Sequence, residues 1–264
     1  MKDVAAKVAA LRSAGEVRSL ASTLLGAPLG PAPRRVHLAA LTSDLHTIRI
    51  RPTTPKSAAD FFLLQLGRAR CAGVLTTGAI LRAETTLQHG LVGPEAAALA
   101  AYRAEEGLGL LRVLVLTRGS HLPPRHPVWA AAPQPVVLTA SDAVDALRAR
   151  LPERVEVGGS PAPSLPEALE RLGRGSVVLE AGPRTLAPLY AAGDPPEELI
   201  LSQYLGPLDP TLRGPAPFAA ADLERHFTLR GQTEVEEPSG PWRFSLRVRR
   251  GSSRGWRSPP SGSA

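Results

Sequence analysis

The stretch Arg174-Gly175-Ser176-Val177-Val178-Leu179-Glu180-Ala181-Gly182-Pro183-Arg184-Thr185-Leu186 decides the fold. A tight turn is followed by a short β-branched run, the pattern of a buried strand. Glu180 ends the strand. Ala181 and Gly182 let a bound group approach the backbone. Pro183 suits the first turn of a helix, where its missing N–H costs nothing. The N–H groups that follow would face an anion, as at a phosphate site on the carboxyl edge of a parallel sheet. The glycine fingerprint G-x-G-x-x-G is absent, so an ordinary strand-turn-helix without a ligand is the alternative reading of these residues.

Working outward, strand and helix alternate. A helical pattern runs from Val4 to Leu25 and is broken by Gly26 to Pro33, an accessory N-terminal segment over residues 1–33. Its basic residues raise the idea of a mitochondrial presequence, against which Asp3 and Glu16 argue. Strands are expected over Arg35 to Leu41, Val74 to Thr76, Leu111 to Leu116, Val136 to Leu138, Arg154 to Val157 and Glu197 to Tyr204. Helices are expected over Ala58 to Cys71, Pro94 to Arg103, Asp142 to Arg150 with Ser141 as cap, and Leu165 to Leu172 with a Ser164/Glu167 capping box. Phe227 to Val235 and Trp242 to Arg249 read as a final antiparallel pair. Residues 34–250 then form one α/β domain, a mostly parallel sheet with helices on both faces. The Val74 and Val177 strands are expected to lie close together. The Ser-, Gly-, Pro- and Arg-rich residues 252–264 read as a disordered tail.

Composition narrows the chemistry. The 264 residues are 43% hydrophobic but only 4% aromatic, so Leu, Val and Ala must build the core. The net charge of +7 is concentrated towards the C-terminus, in Arg243, Arg247, Arg249, Arg250, Arg254 and Arg257. No basic cluster is interleaved with aromatics, so a small anionic ligand is favoured over nucleic acid. Cys71 has no disulfide partner and reads as a core residue in a reducing, cytoplasmic setting. No apolar run reaches membrane-spanning length. The six histidines show no metal-ligand spacing, and His121 and His126 read as exposed in a proline-rich loop. Neither G-x-S-x-G nor a P-loop occurs, which excludes those hydrolase and NTPase classes.

Three turns share the carboxyl edge: Thr42-Ser43-Asp44, Thr76-Thr77-Gly78-Ala79 and Glu180 to Thr185. The order of these segments, and above all V-V-L-E-A-G-P-x-T-L followed by E-E-L-I-L, resembles the reductase domain of bacterial riboflavin biosynthesis, of the dihydrofolate-reductase-like fold. The resemblance spans about Arg34 to Arg249. It implies a single three-layer domain, a homodimer, NADPH as cofactor and reduction of a phosphorylated aminopyrimidine. The family's V-E-G-G motif corresponds to Leu179-Glu180-Ala181-Gly182. That assigns Glu180 to the substrate and Ala181, Gly182, Pro183, Arg184 and Thr185 to the cofactor phosphates. The G-A-G-T turn corresponds loosely to Thr77-Gly78-Ala79-Ile80, with Thr76 beside it, and S-L-D-G to Thr42-Ser43-Asp44-Leu45. Of the substrate-phosphate pattern D-P-x-L-T-x-R only Arg82 and Glu84 remain. Such a reduction needs one acid to supply a proton, for which Asp44 and Glu180 are the candidates, and Lys56 is placed with the substrate phosphate. A non-catalytic homologue that keeps the fold as a binding or dimerisation module is the alternative.

Overall fold

The computed structural model describes residues 3–251, apart from 120, 132, 133 and 174; the tail expected over 252–264 lies outside the described residues. In chain order the elements are α1 (Val4–Ala9), α2 (Ala14–Leu25), β1 (Arg35–Thr42), α3 (Ala58–Arg70), β2 (Gly73–Thr77), α4 (Gly78–Ala83), α5 (Ala96–Glu105), β3 (Arg112–Leu116), β4 (Val136–Ala140), α6 (Val144–Arg148), β5 (Glu156–Ser160), α7 (Leu165–Leu172), β6 (Val177–Leu179), α8 (Pro183–Ala191), β7 (Glu198–Tyr204), α9 (Ala220–His226), β8 (Phe227–Glu237) and β9 (Gly240–Arg249). The strands form one sheet in the order β5-β4-β3-β2-β6-β1-β7-β9-β8. All pairings from β5 to β7 are parallel, and β7–β9 and β9–β8 are antiparallel. As expected, the Val74 and Val177 strands are neighbours, with Val74 opposite Val178.

The period-2 geometry of a strand sends successive side chains to opposite faces, and here both faces are apolar. Val36, Val74, Val113, Val115 and Val178 join one core with α1, α2, α3 and α5. Leu75, Leu114, Leu116, Val177 and Leu179 join the other with α7, α8 and α9. Continuous branched runs such as Val113 to Leu116 are what a strand covered on both faces requires. Cys71 is fully buried, as its place in the apolar pattern suggested.

Four local expectations are corrected. The N-terminal helix is two helices: Ser13 accepts from Glu16 N–H while Glu16 accepts from Ser13 N–H, a capping box that starts a new helix at Ala14. Ser141 does not cap; it lies inside a 3₁₀ turn, Ser141–Ala143, that leads into α6. Ser164 does cap α7, but the carboxylate of Glu167 turns to Arg171 rather than back to the cap. The strand expected from Arg154 begins at Glu156.

The N-terminal helices dock on the antiparallel end through two glycines. Gly26 caps α2 at φ +66°, and a Cβ there would sit 2.7 Å from the backbone of Gln232; Gly231, at a bulge in β8, meets the Gly26 backbone in return. Left-handed backbone and overpacking each cost a side chain of order 1–3 kcal/mol. Gly26→Val is therefore expected to lower stability by at least about 2 kcal/mol in urea denaturation.

Candidate active site

The carboxyl ends of β1, β2 and β6 open into a cleft of about 670 Å³. This is where ligands bind in open α/β sheets. The β6–α8 turn forms one wall, with Glu180, Ala181, Gly182, Pro183, Arg184 and Thr185 all lining it. Gly182 is the N-cap of α8 in extended backbone (φ −69°, ψ 168°) and no side chain caps the helix. A Cβ on Gly182 would meet nothing within 4 Å. Its value is therefore the open space it leaves at an uncapped helix start, not the positive φ that a turn glycine often supplies. Arg184, exposed, follows it by two residues, and Arg49 and Arg51 also line the cleft.

The second turn divides between the two faces of its strand. Thr77 lines the cleft and caps α4 through Ile80 N–H. Thr76 faces the other way, fully buried, with its hydroxyl on His89 Nε2 at 3.3 Å. Gly78 does not reach the cleft: its Cα packs against Thr117 and Leu122, where a Cβ would come within 2.8 Å of both. Thr76 and Gly78 therefore lie behind the cleft wall rather than in it.

Glu180 is placed at the cleft but is already engaged. Its two carboxylate oxygens accept from Arg68 Nε at 2.6 Å and Nη2 at 2.7 Å, both side chains being buried. The remaining Arg68 donors hold the carbonyls of Gln88 and Gly90. Arg68 thus occupies both carboxylate oxygens in a bidentate pair. Asp44 does not line the cleft. It is exposed, outside the cleft, and bonded to Thr42 and to Arg213. Those partners hold its carboxyl below the usual carboxylate range, so it is ionised at neutral pH. Lys56 is exposed and is not among the lining residues; its carbonyl accepts from Ser239 Oγ.

A further carboxyl, Glu84, lines the cleft. It ends α4 and lies where the cleft meets a second one of about 620 Å³, lined also by Ile50, Arg51, Phe61 and Leu87. Burial, and then the negative charge of Glu180, push its carboxyl up to about 7, against the pull of Arg68. Its backbone is pinned: Glu84 N–H donates to Ile80 O, and its carbonyl bonds His126 Nε2 at 2.9 Å. Because His126 Nδ1 accepts from Val128 N–H, the ring proton sits on Nε2 and points at Glu84. His126 is thus buried, at 3% exposure, contrary to the exposed loop position expected of it. His121 is exposed. Among the described residues no group of His, Cys, Asp and Glu could hold a metal ion, and no helix is long and apolar enough to cross a membrane.

No protein-family model matches the sequence, and none of the curated proteins does. The fold is matched by solved structures. A pyrimidine reductase-like protein from Corynebacterium diphtheriae superposes with a TM-score of 0.61 at 18% identity, over 90% of this chain and 99% of that one. The fold is that of the riboflavin-biosynthesis reductases. The riboflavin biosynthesis reductase of Saccharomyces cerevisiae shares this reductase fold with a TM-score of 0.52 at 14% identity, over 88% of this chain and 97% of that one. A Thermotoga maritima diaminohydroxyphosphoribosylaminopyrimidine deaminase/5-amino-6-(5-phosphoribosylamino)uracil reductase shares it with a TM-score of 0.55 at 14% identity. There the match covers 82% of this chain and 57% of that two-activity protein.

Proposed function

We propose that this chain is an NADPH-dependent reductase of a small planar heterocycle. The observation that carries this reading is the uncapped start of α8 at Gly182, open to a cleft that Arg49, Arg51, Arg184 and Glu84 also line. Pro183 has no N–H and those of Thr185 and Leu186 donate to Gly182 O, so the uncapped start offers chiefly the Arg184 N–H, which with the guanidinium of the same residue suits a cofactor's phosphate. Ala181, Gly182, Arg184, Thr185 and Thr77 would hold that group, which supplies the hydride when bound. Arg49 and Arg51 would neutralise further phosphate oxygens across the cleft. Reduction of a C=N or C=O bond needs a proton as well as a hydride. The Glu84 carboxyl carries one near neutral pH and lies where the two clefts meet. The buried Arg68–Glu180 pair holds the β6 end and the Gln88 to Gly90 loop in place around it. The homodimer that the sequence resemblance implies belongs to the same proposal, with the long edge strand β8 and its exposed Leu229 as its surface.

The test is a fluorescence titration of NADPH, followed by NADPH oxidation with 5-amino-6-(5-phosphoribosylamino)uracil as the first substrate tried. Saturable binding by the wild type is expected. Gly182→Val should weaken it by at least ~10-fold, ~1.4 kcal/mol, by filling the space at the helix start, with circular dichroism unchanged. Equal affinity in a folded Gly182→Val protein would remove this turn from the cofactor site. Failure of the wild type to bind NADPH would leave the fold as a non-catalytic binding module.

A further inference from the structure

Glu84 is the C-cap of α4, so its carbonyl has no partner inside that helix. Two donors take it from outside. Leu87 N–H bonds it at 3.1 Å within the same turn of chain, and His126 Nε2–H bonds it at 2.9 Å from 42 residues away. The first contact is local and moves with the segment. The second ties the end of α4 to the crossing between β3 and β4. Arg82 reaches the same crossing at His121 O, but from an exposed position.

His126 is itself firmly held. It is the N-cap of a 3₁₀ turn, Pro127–Ala130, and its Nδ1 accepts from Val128 N–H at 3.1 Å. Val128 and Trp129 of that turn are buried in the core that α3 and α5 share. The Trp129 ring meets the imidazole edge-on, with centroids 6.5 Å apart, and its Nε1 donates to Pro123 O. The His89 ring lies 5.9 Å away on another side, bonded to Thr76 Oγ1. Burial lowers the His126 pKa below the ordinary histidine value. At neutral pH the ring is therefore neutral, with one acceptor and one donor. A cap needs the acceptor alone, and Asn, Asp or Ser supplies it more commonly than His. The donor has no part in the cap; it goes to Glu84.

We propose that His126 is a positioning residue of the candidate site: through the Glu84 carbonyl it keeps the Glu84 carboxyl where the two clefts meet. The inference rests on the reductase reading only in giving that carboxyl a proton to deliver. The lever is short, because carbonyl and carboxyl belong to one residue. The helix is short too: α4 has six residues, too few to hold its own end. The carboxyl is faced by the Glu180 anion and the Arg68 guanidinium, and Arg51 lines both clefts with it. His89 and His126, both lowered by burial, add no charge at neutral pH. If the end of α4 swings outward, the carboxyl exchanges burial for water and titrates nearer the ordinary carboxylate range.

Two substitutions separate positioning from capping. Asn puts its Oδ1 where His has Nδ1, so it keeps the Val128 cap but stops short of the Glu84 carbonyl. Gln puts its Nε2 where His has Nε2, so it keeps the Glu84 contact and loses the cap. The measurement is a ¹³C NMR titration of the Glu84 carboxyl in the whole chain without NADPH, the signal being assigned by its loss in Glu84→Gln. Wild type should titrate at about 7. His126→Asn should titrate at least about one pH unit lower while melting close to wild type. His126→Gln should melt lower, through the lost cap, yet titrate as wild type does. A His126 that only caps its turn would leave the titration unmoved in His126→Asn. That result, a wild-type Glu84 that titrates in the ordinary carboxylate range, or a His126→Gln that shifts as far as His126→Asn would each overturn the inference. The expected titrations in a chain that binds no NADPH would instead support His126 and sink the reductase reading alone.

Discussion

If the reductase reading holds, Glu84→Gln is expected to lower NADPH-dependent turnover by about 10²-fold or more at pH 6.5, the usual range for a lost general acid, and to leave NADPH affinity unchanged. The wild-type rate should follow the protonated form and fall as pH rises through about 7, and that limb should disappear in the variant. Stability moves the same way. Burial raises the Glu84 carboxyl in the folded state above its ordinary value. Folded protein then binds more protons than unfolded protein between those two values, and stability falls as pH rises through that window. Glu84→Gln carries no such charge. It should therefore melt higher than wild type at pH 8 and close to wild type at pH 4. Thermal melts at the two pH values, beside the pH–rate profile, check both halves. A variant that keeps the pH limb, or that shows no stability gain at pH 8, would take Glu84 out of the acid role.

The central architecture is legible in the chain because strands buried on both faces must be written as continuous branched runs. Val113 to Leu116 and Val177 to Leu179 could be little else, and the small-residue turn after each strand of the pair β2 and β6 opens on one edge. The wall from Glu180 to Thr185 was likewise readable, since it is local in sequence. Some missed features had local signals. Ser13 and Glu16 have the spacing of a capping box, and strand alternation puts Thr76 and Thr77 on opposite faces.

The acid assignments were not legible, because acidity is decided by partners distant in the chain. Asp44 has the position of a catalytic edge acid, but Arg213, 169 residues away, claims it. Glu180 matches a substrate-contacting Glu, but Arg68 on α3 occupies both its oxygens. Glu84 reads only as a remnant of the substrate-phosphate pattern until burial and the Glu180 charge set its protonation.

Glu180→Gln should cost about 3–5 kcal/mol of stability in urea denaturation, the range for breaking a buried ion pair from one side. The loss comes less from the missing attraction than from Arg68, which stays buried with an uncompensated charge. Replacing both residues, Arg68→Met with Glu180→Leu, should recover part of that loss, because two apolar side chains leave no stranded charge. Recovery stays incomplete, since Arg68 also holds the carbonyls of Gln88 and Gly90. The single variant has a second consequence at the acid. Glu180 raises the Glu84 carboxyl and Arg68 lowers it. With the anion gone and the cation left, Glu84 loses its proton at lower pH. The alkaline limb of the rate should thus shift to lower pH while NADPH still binds at the α8 turn. A Glu180→Gln protein within about 1 kcal/mol of wild type, with its pH limb unmoved, would show that the pair neither holds the β6 end nor tunes Glu84.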